Sequence, residues 1–540
     1  MRRPFSALVP LLLLAPGCPG DSGQGVRIER IDQRSLVRVI TADDAKVLDP
    51  HVTSDGGNVK VINQVYETLV QLDPQDSGRL LPELAESWTV GEDGKSISFR
   101  IRTGVRFHDG ASLDAAACKL SLDRARGADF ELPTAPYRSM FADIESVEAD
   151  GQRLVVRLAQ PVAGVTLRNL SMFAASIVSP RLLEESRRQG GADAASAYVT
   201  AHAAGTGAYR VDAFDPAAKV VRLVANEESW RGAPQIKTLV FQQVLDKRVR
   251  HEYLRKAEGT IVVDDVPRES WDELRSSPRL ALKTWWSLNV CYLGVSGVHP
   301  KTREPEVRRA IQLAIDRQAI LPHYKGTARP TYSLVAQPMP EYDPELRCGD
   351  WDDNLAVRRK RARALLEAAQ AIGREVTIYY PNQPRPYLPE PTEIADAVRH
   401  SLKEVGLEAK IQGVDKNVLF PGIATGEYEL VLIGWTTDNA HPDNFYGPLC
   451  DGEDGVPSEG NVSRVFDPEV HAKIVAARQL VDDAQRVAAY REIERLLQDR
   501  VRGYVPLVNT QVALAHSKRI QGIEVNDMGQ YRFHAARLVD

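Results

Sequence analysis

Cysteine is scarce in this chain, with five residues in 540. No two of them stand in C-x-x-C spacing, so a redox or zinc motif has no support. Excess positive charge is missing as well. Lys and Arg total 68 against 73 Asp and Glu, a net charge of −5, which gives nucleic acid nothing to bind to and removes it from the partner classes. Beyond the amino terminus no apolar run approaches the roughly 20 residues that cross a bilayer. G-x-S-x-G, H-E-x-x-H, P-loop and Rossmann patterns are all absent. Gly205-Thr206-Gly207 is no phosphate loop, because no helix with Lys and Ser or Thr follows it. There is no internal repeat and no low-complexity segment.

What is present is a long chain of ordinary globular composition, 43% apolar and 26% charged, long enough for two or three lobes. Its start differs from the rest. Arg2 and Arg3 precede the apolar run Phe5 to Leu14, and Ala15 and Gly17 lead to Cys18, the charge order and exit of a signal peptide over 1–17. Leu14-Ala15-Pro16-Gly17-Cys18 resembles a bacterial lipobox with its Leu one place early and Pro16 inside it. That resemblance makes Cys18 the expected lipidation site and 18–35 an anchor and tether, for which the Gly-rich polar stretch Pro19 to Gly25 is suited. Cys118, Cys291, Cys348 and Cys450 remain, and four cysteines allow three connectivities among which sequence does not choose.

Short apolar runs bounded by turns recur along the chain. Leu36 to Ile40 reads as a strand entering a sheet, followed by the small polar turn Thr53-Ser54-Asp55-Gly56-Gly57, able to approach a ligand or simply to turn. Val59 to Leu69 has helical spacing. A block from Leu81 through Glu83 and Trp88 to Gly104-Val105-Arg106-Phe107-His108-Asp109-Gly110 reads as two strands with turns at Asp93-Gly94 and Asp109-Gly110. Glu375 to Tyr380 is a strand that delivers Pro384-Arg385-Pro386-Tyr387. Glu429 to Ile433 reads as an inner strand ending at Gly434, and beyond it stand Trp435, Thr436, Thr437 and Asp438. Open α/β sheets present ligands outside the carboxyl ends of such strands. Asp438 in that position wants a cation, although an isolated Asp there would ordinarily cap a helix or fix a turn with Asn439.

Gly434-Trp435-Thr436-Thr437-Asp438-Asn439 with His441-Pro442-Asp443-Asn444-Phe445, together with the 81–110 block, resembles the dipeptide-binding proteins. These are extracytoplasmic solute-binding proteins of family 5, which serve ABC transporters. The resemblance implies an α/β fold, periplasmic binding protein-like, class II and three-lobed, with a ligand cleft between two main lobes. Lobe I would comprise 36–62, 208–288 and 508–540, lobe II 63–207 and lobe III 289–507. It implies that Asp438 holds the peptide ammonium and Arg385, in an Arg-Pro-Tyr motif of the dipeptide-binding subset, the peptide carboxylate. Trp435 and Tyr387 would wall the cleft, and Thr53, Ser54 and Gly56 would approach the ligand. His108 and Asp109 are read as structural. The family's disulfide near Cys450 lacks its partner here, the place being held by Phe466. Family members usually have Asn where this chain has Ser296, and an acidic residue where it has His441. The expected protein is a monomer with no cofactor, no metal and no catalytic role. Its partners would be a short peptide, permease subunits with a cytoplasmic ATPase, and a membrane reached through the lipid anchor. Haem, nickel or glutathione is the alternative ligand within the family, and an exported hydrolase or peptide chaperone the alternative outside it.

Overall fold

The computed structural model of the chain describes residues 35–128, 132, 135–256, 260–480 and 482–539; the signal-peptide, Cys18 and tether readings fall on residues 1–34, outside them. One mixed sheet of twelve strands organises the molecule, and a single strand of 14 residues, Tyr504–Ser517, runs through its middle. Residues Tyr504 to Val508 pair antiparallel with Asn289–Val295, while Leu514 to His516 pair with Ile261–Asp264. Two half-sheets therefore share one backbone. At the junction Asn289, Asn509 and Thr510 are fully buried and satisfy one another: Asn289 donates to the Thr510 hydroxyl at 2.9 Å and Asn509 to the Ser287 carbonyl at 2.8 Å. Buried polar groups at a crossing of this kind must pair, and in pairing they fix the register.

The amino-terminal half-sheet places Leu36–Thr41 parallel to Thr238–Gln243 and to Ile261–Asp264. In the other half, Glu375–Pro381 lies parallel to Glu408–Val414 and to Leu430–Thr436, which in turn pairs antiparallel with Asn289–Val295. The apolar run at 430–433 is explained by burial on both faces. Leu430 and Leu432 join Ile378 and Val295 in one core, and Val431 and Ile433 join Val290 and Tyr292 in another. The strand does not end at Gly434 as expected; it continues to Thr436. Gly434 is there for space, since a Cβ would lie 2.3 Å from the Val290 carbonyl oxygen and 2.4 Å from the Tyr387 ring.

A four-stranded antiparallel sheet, Ala85–Val90, Ser96–Ile101, Arg153–Leu158 and Ile144–Asp150 in order from one edge, forms a separate layer. The helix Ala115–Ala125 packs on it, capped by the Asp114 carboxylate. The helix read as Val59 to Leu69 runs instead over Gly56–Val65, begun by Asp55, whose side chain accepts from the Gly57 amide at 3.0 Å; its sequel Val70–Asp73 is a strand. The long amphipathic stretch 470–500 is split, because Asp482 caps a new helix, Asp483–Leu496, after Pro468–Arg478 ends.

The 81–110 block and the Trp230-Arg231 pair meet in a buried ionic cluster. Glu83, fully buried, accepts from the Thr68 amide and hydroxyl at 2.8 and 2.7 Å and pairs with Arg231 at 3.0 Å and with Arg532. Glu67 takes the Trp230 indole N–H and Arg231 Nε, each at 2.7 Å. Burial pushes both carboxyls up. For Glu83 the Arg532 and Arg231 guanidiniums reverse that push, whereas Glu67 remains raised. His108 bonds the Gly207 carbonyl at 2.9 Å, and the Asp109 carboxylate accepts from the Ala111 amide at 3.0 Å and from the Ser179 hydroxyl. Both are structural, as read. Cys118, Cys291, Cys348 and Cys450 are free and buried.

Candidate functional site

Between the two half-sheets lies a cavity of about 440 Å³, within the usual range for small-ligand sites of ~300–1000 Å³. Arg385 and its flanking prolines line it from one side and Gly56, Trp285 and Tyr531 from the other, with Thr436 at the end of the inner strand. Arg385 is held from its backbone: its amide donates to the Leu388 carbonyl at 3.0 Å and its carbonyl accepts from the Leu388 amide at 2.9 Å. Pro384 and Pro386 stiffen the same turn. Among the described residues no carboxylate pairs with its guanidinium; its charge helps to lower the pKa of Asp43, but Lys60 already holds that carboxylate.

Asp438 stands two residues past Thr436, in a turn fixed by its neighbours. The Thr437 amide donates to the Leu288 carbonyl at 3.1 Å, and the Asp438 amide donates to Asn444 Oδ1 at 3.0 Å. Asn439 Oδ1 accepts from the His441 amide at 2.9 Å, which holds Ala440 in the left-handed region at φ 54°. The side chain of Asp438 caps no helix. The following helix, Asp443–Cys450, starts at Pro442 without a side-chain cap, and the Asp438 carboxylate accepts from the Tyr137 hydroxyl. Burial lifts its pKa from 3.8 to about 7, against the smaller opposing effect of Tyr137. No described cation pairs with it. Asp438 is half-buried, and a carboxylate so placed without a counter-ion is costly, a cost that a ligand ammonium would remove.

Tyr137 and the 438–439 turn also bring separate parts of the chain together. Asn439 Nδ2 donates to Asn169 Oδ1 at 2.7 Å, and Lys416 pairs with Asp55 at 3.0 Å. The first bond ties the turn to the helix Ala163–Asn169, and the second ties the helix Lys416–Thr425 to the start of the helix Gly56–Val65.

The other residues singled out from sequence fall in different places. Gly56 lines the cavity. Thr53 is buried, with its hydroxyl accepting from Asn58 Nδ2 at 2.6 Å and the Asp55 amide at 3.2 Å, so it builds the helix start. Ser54 is exposed. Tyr387 packs on Gly434 and gives its carbonyl to the Tyr324 hydroxyl at 3.0 Å, while Trp435 donates its indole N–H to Asn444 Oδ1 at 3.2 Å. Neither ring is part of the cavity lining; both support the turns that carry Arg385 and Asp438. His441 accepts from the Asp443 amide through Nδ1 at 3.1 Å, and burial, followed by nearby arginines, holds it well below its ordinary pKa as a neutral ring. Sequence reading missed Tyr137, which bonds Asp438, and Arg268, which lines the cavity; both are brought in by parts of the chain remote from the motif. No local pattern marks either one.

Residues 79–456 match the model of the bacterial extracellular solute-binding proteins, family 5, middle region. A di/tripeptide-binding protein 1 of Pseudomonas aeruginosa (strain UCBPP-PA14) is 26% identical over 493 residues, covering 87% of this chain and 88% of that protein. The dipeptide-binding protein of Escherichia coli K12 is 26% identical over 505 residues, 89% of each. Among solved structures, a dipeptide-binding protein from Pseudoalteromonas sp. SM9913 in complex with Met-Leu superposes with a TM-score of 0.82 at 21% identity, covering 93% of this chain and all of that one. The fold is that of a periplasmic binding protein, built to hold a solute and not to transform it. With the match spanning most of the described sheet and both motif blocks, the chain belongs to the bacterial extracellular solute-binding proteins of family 5.

Proposed function

We propose that the protein captures short peptides for an ABC transporter, with Asp438 receiving the peptide ammonium and Arg385 the carboxylate. Asp438 carries the proposal: a half-buried carboxylate, pushed up to about 7 by its surroundings and lacking a described cation, is matched by the positive end of a ligand. Arg385 supplies the opposite charge on a stiff turn. The three-lobed division given above follows the same reading, with closure of the halves about the Asn289–Asn509 junction enclosing the peptide. So does tethering through Cys18; mass spectrometry of the mature amino terminus is expected to find a diacylated Cys18, and a soluble protein starting elsewhere would reject the anchor.

Dipeptide binding followed by calorimetry across pH is the test. Asp438 must be ionised, which requires pH above about 7, and the peptide amine must be protonated, which requires pH below about 8. Affinity is therefore expected to peak in a narrow window between them and to fall roughly tenfold per pH unit on either side. Scattering on the same samples is expected to give a smaller radius of gyration at saturation. A flat acidic limb would show that Asp438 does not hold the amine.

A further inference from the structure

The charges around the cavity do not cancel pairwise. Lys60 serves both Asp43 and Asp264, at 3.3 and 2.9 Å, and Arg250 serves Asp265 at 3.0 Å. Lys247 meets Glu390 at 3.3 Å, and Lys325 meets Glu269. Every carboxylate lining the cavity thus has its cation. Two guanidiniums are left over among the described residues, Arg385 and Arg268.

Arg268 comes from the other half-sheet's side of the cavity and reaches across it. Its Nη2 makes only long bonds to carbonyls, 3.4 Å to Pro386 and 3.3 Å to Gln511, and its Nη1 is buried with no partner. The bond to the carbonyl of Pro386, the residue after Arg385, sets Arg268 against the turn that carries Arg385, and both side chains line the one cavity. Trp285 Nε1, in the same lining, is a second buried donor with no acceptor. Burial presses the Arg268 pKa down, as expected of a cation without a counter-ion. Buried donors left unpaired in a cavity are costly in the free protein and become favourable only when an acceptor arrives. A planar guanidinium with Nη1 unpartnered and Nη2 held only by long bonds has donors left for a carboxylate.

We propose that this cavity receives a second anionic group of the ligand, bound by Arg268 next to the carboxylate held by Arg385, so that the preferred ligand is a short peptide ending in Asp or Glu. The inference rests on the peptide reading for the placement of the main-chain carboxylate, and adds to it a side-chain preference. Arg268 would then act as a specificity determinant contributed by the half-sheet opposite to Arg385, and a dicarboxylate end would draw the two halves together.

Calorimetry with Ala-Glu and its neutral isostere Ala-Gln tests this. The parent protein is expected to bind Ala-Glu at least tenfold more tightly, Arg268→Gln to lose that preference, and Arg268→Lys to recover part of it, with circular dichroism confirming that each variant is folded. Equal affinity for the two peptides in the parent, or a preference that survives in Arg268→Gln, would overturn the proposal while leaving peptide binding intact. If neither dipeptide binds, the peptide reading fails, and thermal melting with glutarate decides the cavity separately. A rise in melting temperature in the parent that is absent in Arg268→Gln keeps the anion site; no rise in the parent rejects it.

Discussion

Asp438→Asn and Arg385→Gln are each expected to weaken dipeptide binding by about 2–5 kcal/mol, roughly 30-fold to several thousandfold, when measured by calorimetry near neutral pH. Both ends of a free peptide are charged, and a closed cleft takes both from water, so loss of either protein charge leaves a ligand terminus buried and unpaired. An extended dipeptide spans only about 7 Å. Two fixed charges would therefore measure its length as well as its polarity and penalise longer peptides. Amidating the peptide carboxylate is expected to hurt the parent protein and to matter much less in Arg385→Gln; equal losses in both would remove Arg385 from the carboxylate end. Stability should move the other way for Asp438. Its folded pKa of about 7 lies above the ordinary 3.8, so the folded chain binds more protons than the unfolded chain between about pH 4 and 7, and stability falls as pH rises through that window. Free Asp438→Asn, which carries no charge to bury, is accordingly expected to melt higher than the parent above pH 7 while failing to bind. A variant that loses both stability and binding would instead mean that the turn has collapsed.

Much of this site could be read from the chain because its elements are local. The run at 430–433 is apolar for a reason visible in sequence, burial on two faces, and Pro384 and Pro386 bracket Arg385 in the sequence itself. What could not be read is tertiary. Glycine usually marks a strand end, but Gly434 is a gap that the Tyr387 ring fills, and that ring comes from 47 positions earlier. Trp435 and Tyr387 have the character of cleft walls in sequence, yet their polar atoms are used in holding the turns. Thr53 likewise has a ligand-facing look and a structural hydroxyl. Tyr137 and Arg268 reach the site from outside every motif. In a sheet whose halves share one long strand, residues far apart in sequence face each other across the cavity, and side-chain periodicity carries no information about such meetings.

The same limit hid an ion pair enclosed in the core. Asp49 and Arg124 are 75 positions apart, and their side chains are only 0% and 2% exposed. Arg124 Nη1 donates to Asp49 Oδ1 at 2.9 Å and to His51 Nδ1 at 2.7 Å, with Nη2 on the second carboxylate oxygen. His51 then donates through Nε2 to the Ser176 carbonyl at 3.0 Å. Burial, then the adjacent guanidinium, pushes its pKa down to about 4, so it serves as a neutral acceptor. Burial alone would raise the Asp49 carboxyl, but Arg124 outweighs it and holds the carboxyl below 3.8. A depressed folded pKa stabilises the fold above the unfolded value and loses that contribution as pH falls through the folded one. Asp49→Asn keeps the shape and removes the charge, leaving a guanidinium enclosed in the core between the 48–51 loop and the helix Ala115–Ala125. The expected cost is about 3–5 kcal/mol, read as a lower denaturation midpoint in urea at neutral pH with little change in slope. The parent is expected to lose part of its lead over this variant on acidification toward pH 3. A variant as stable as the parent at neutral pH would show that the enclosed guanidinium does not need this counter-ion.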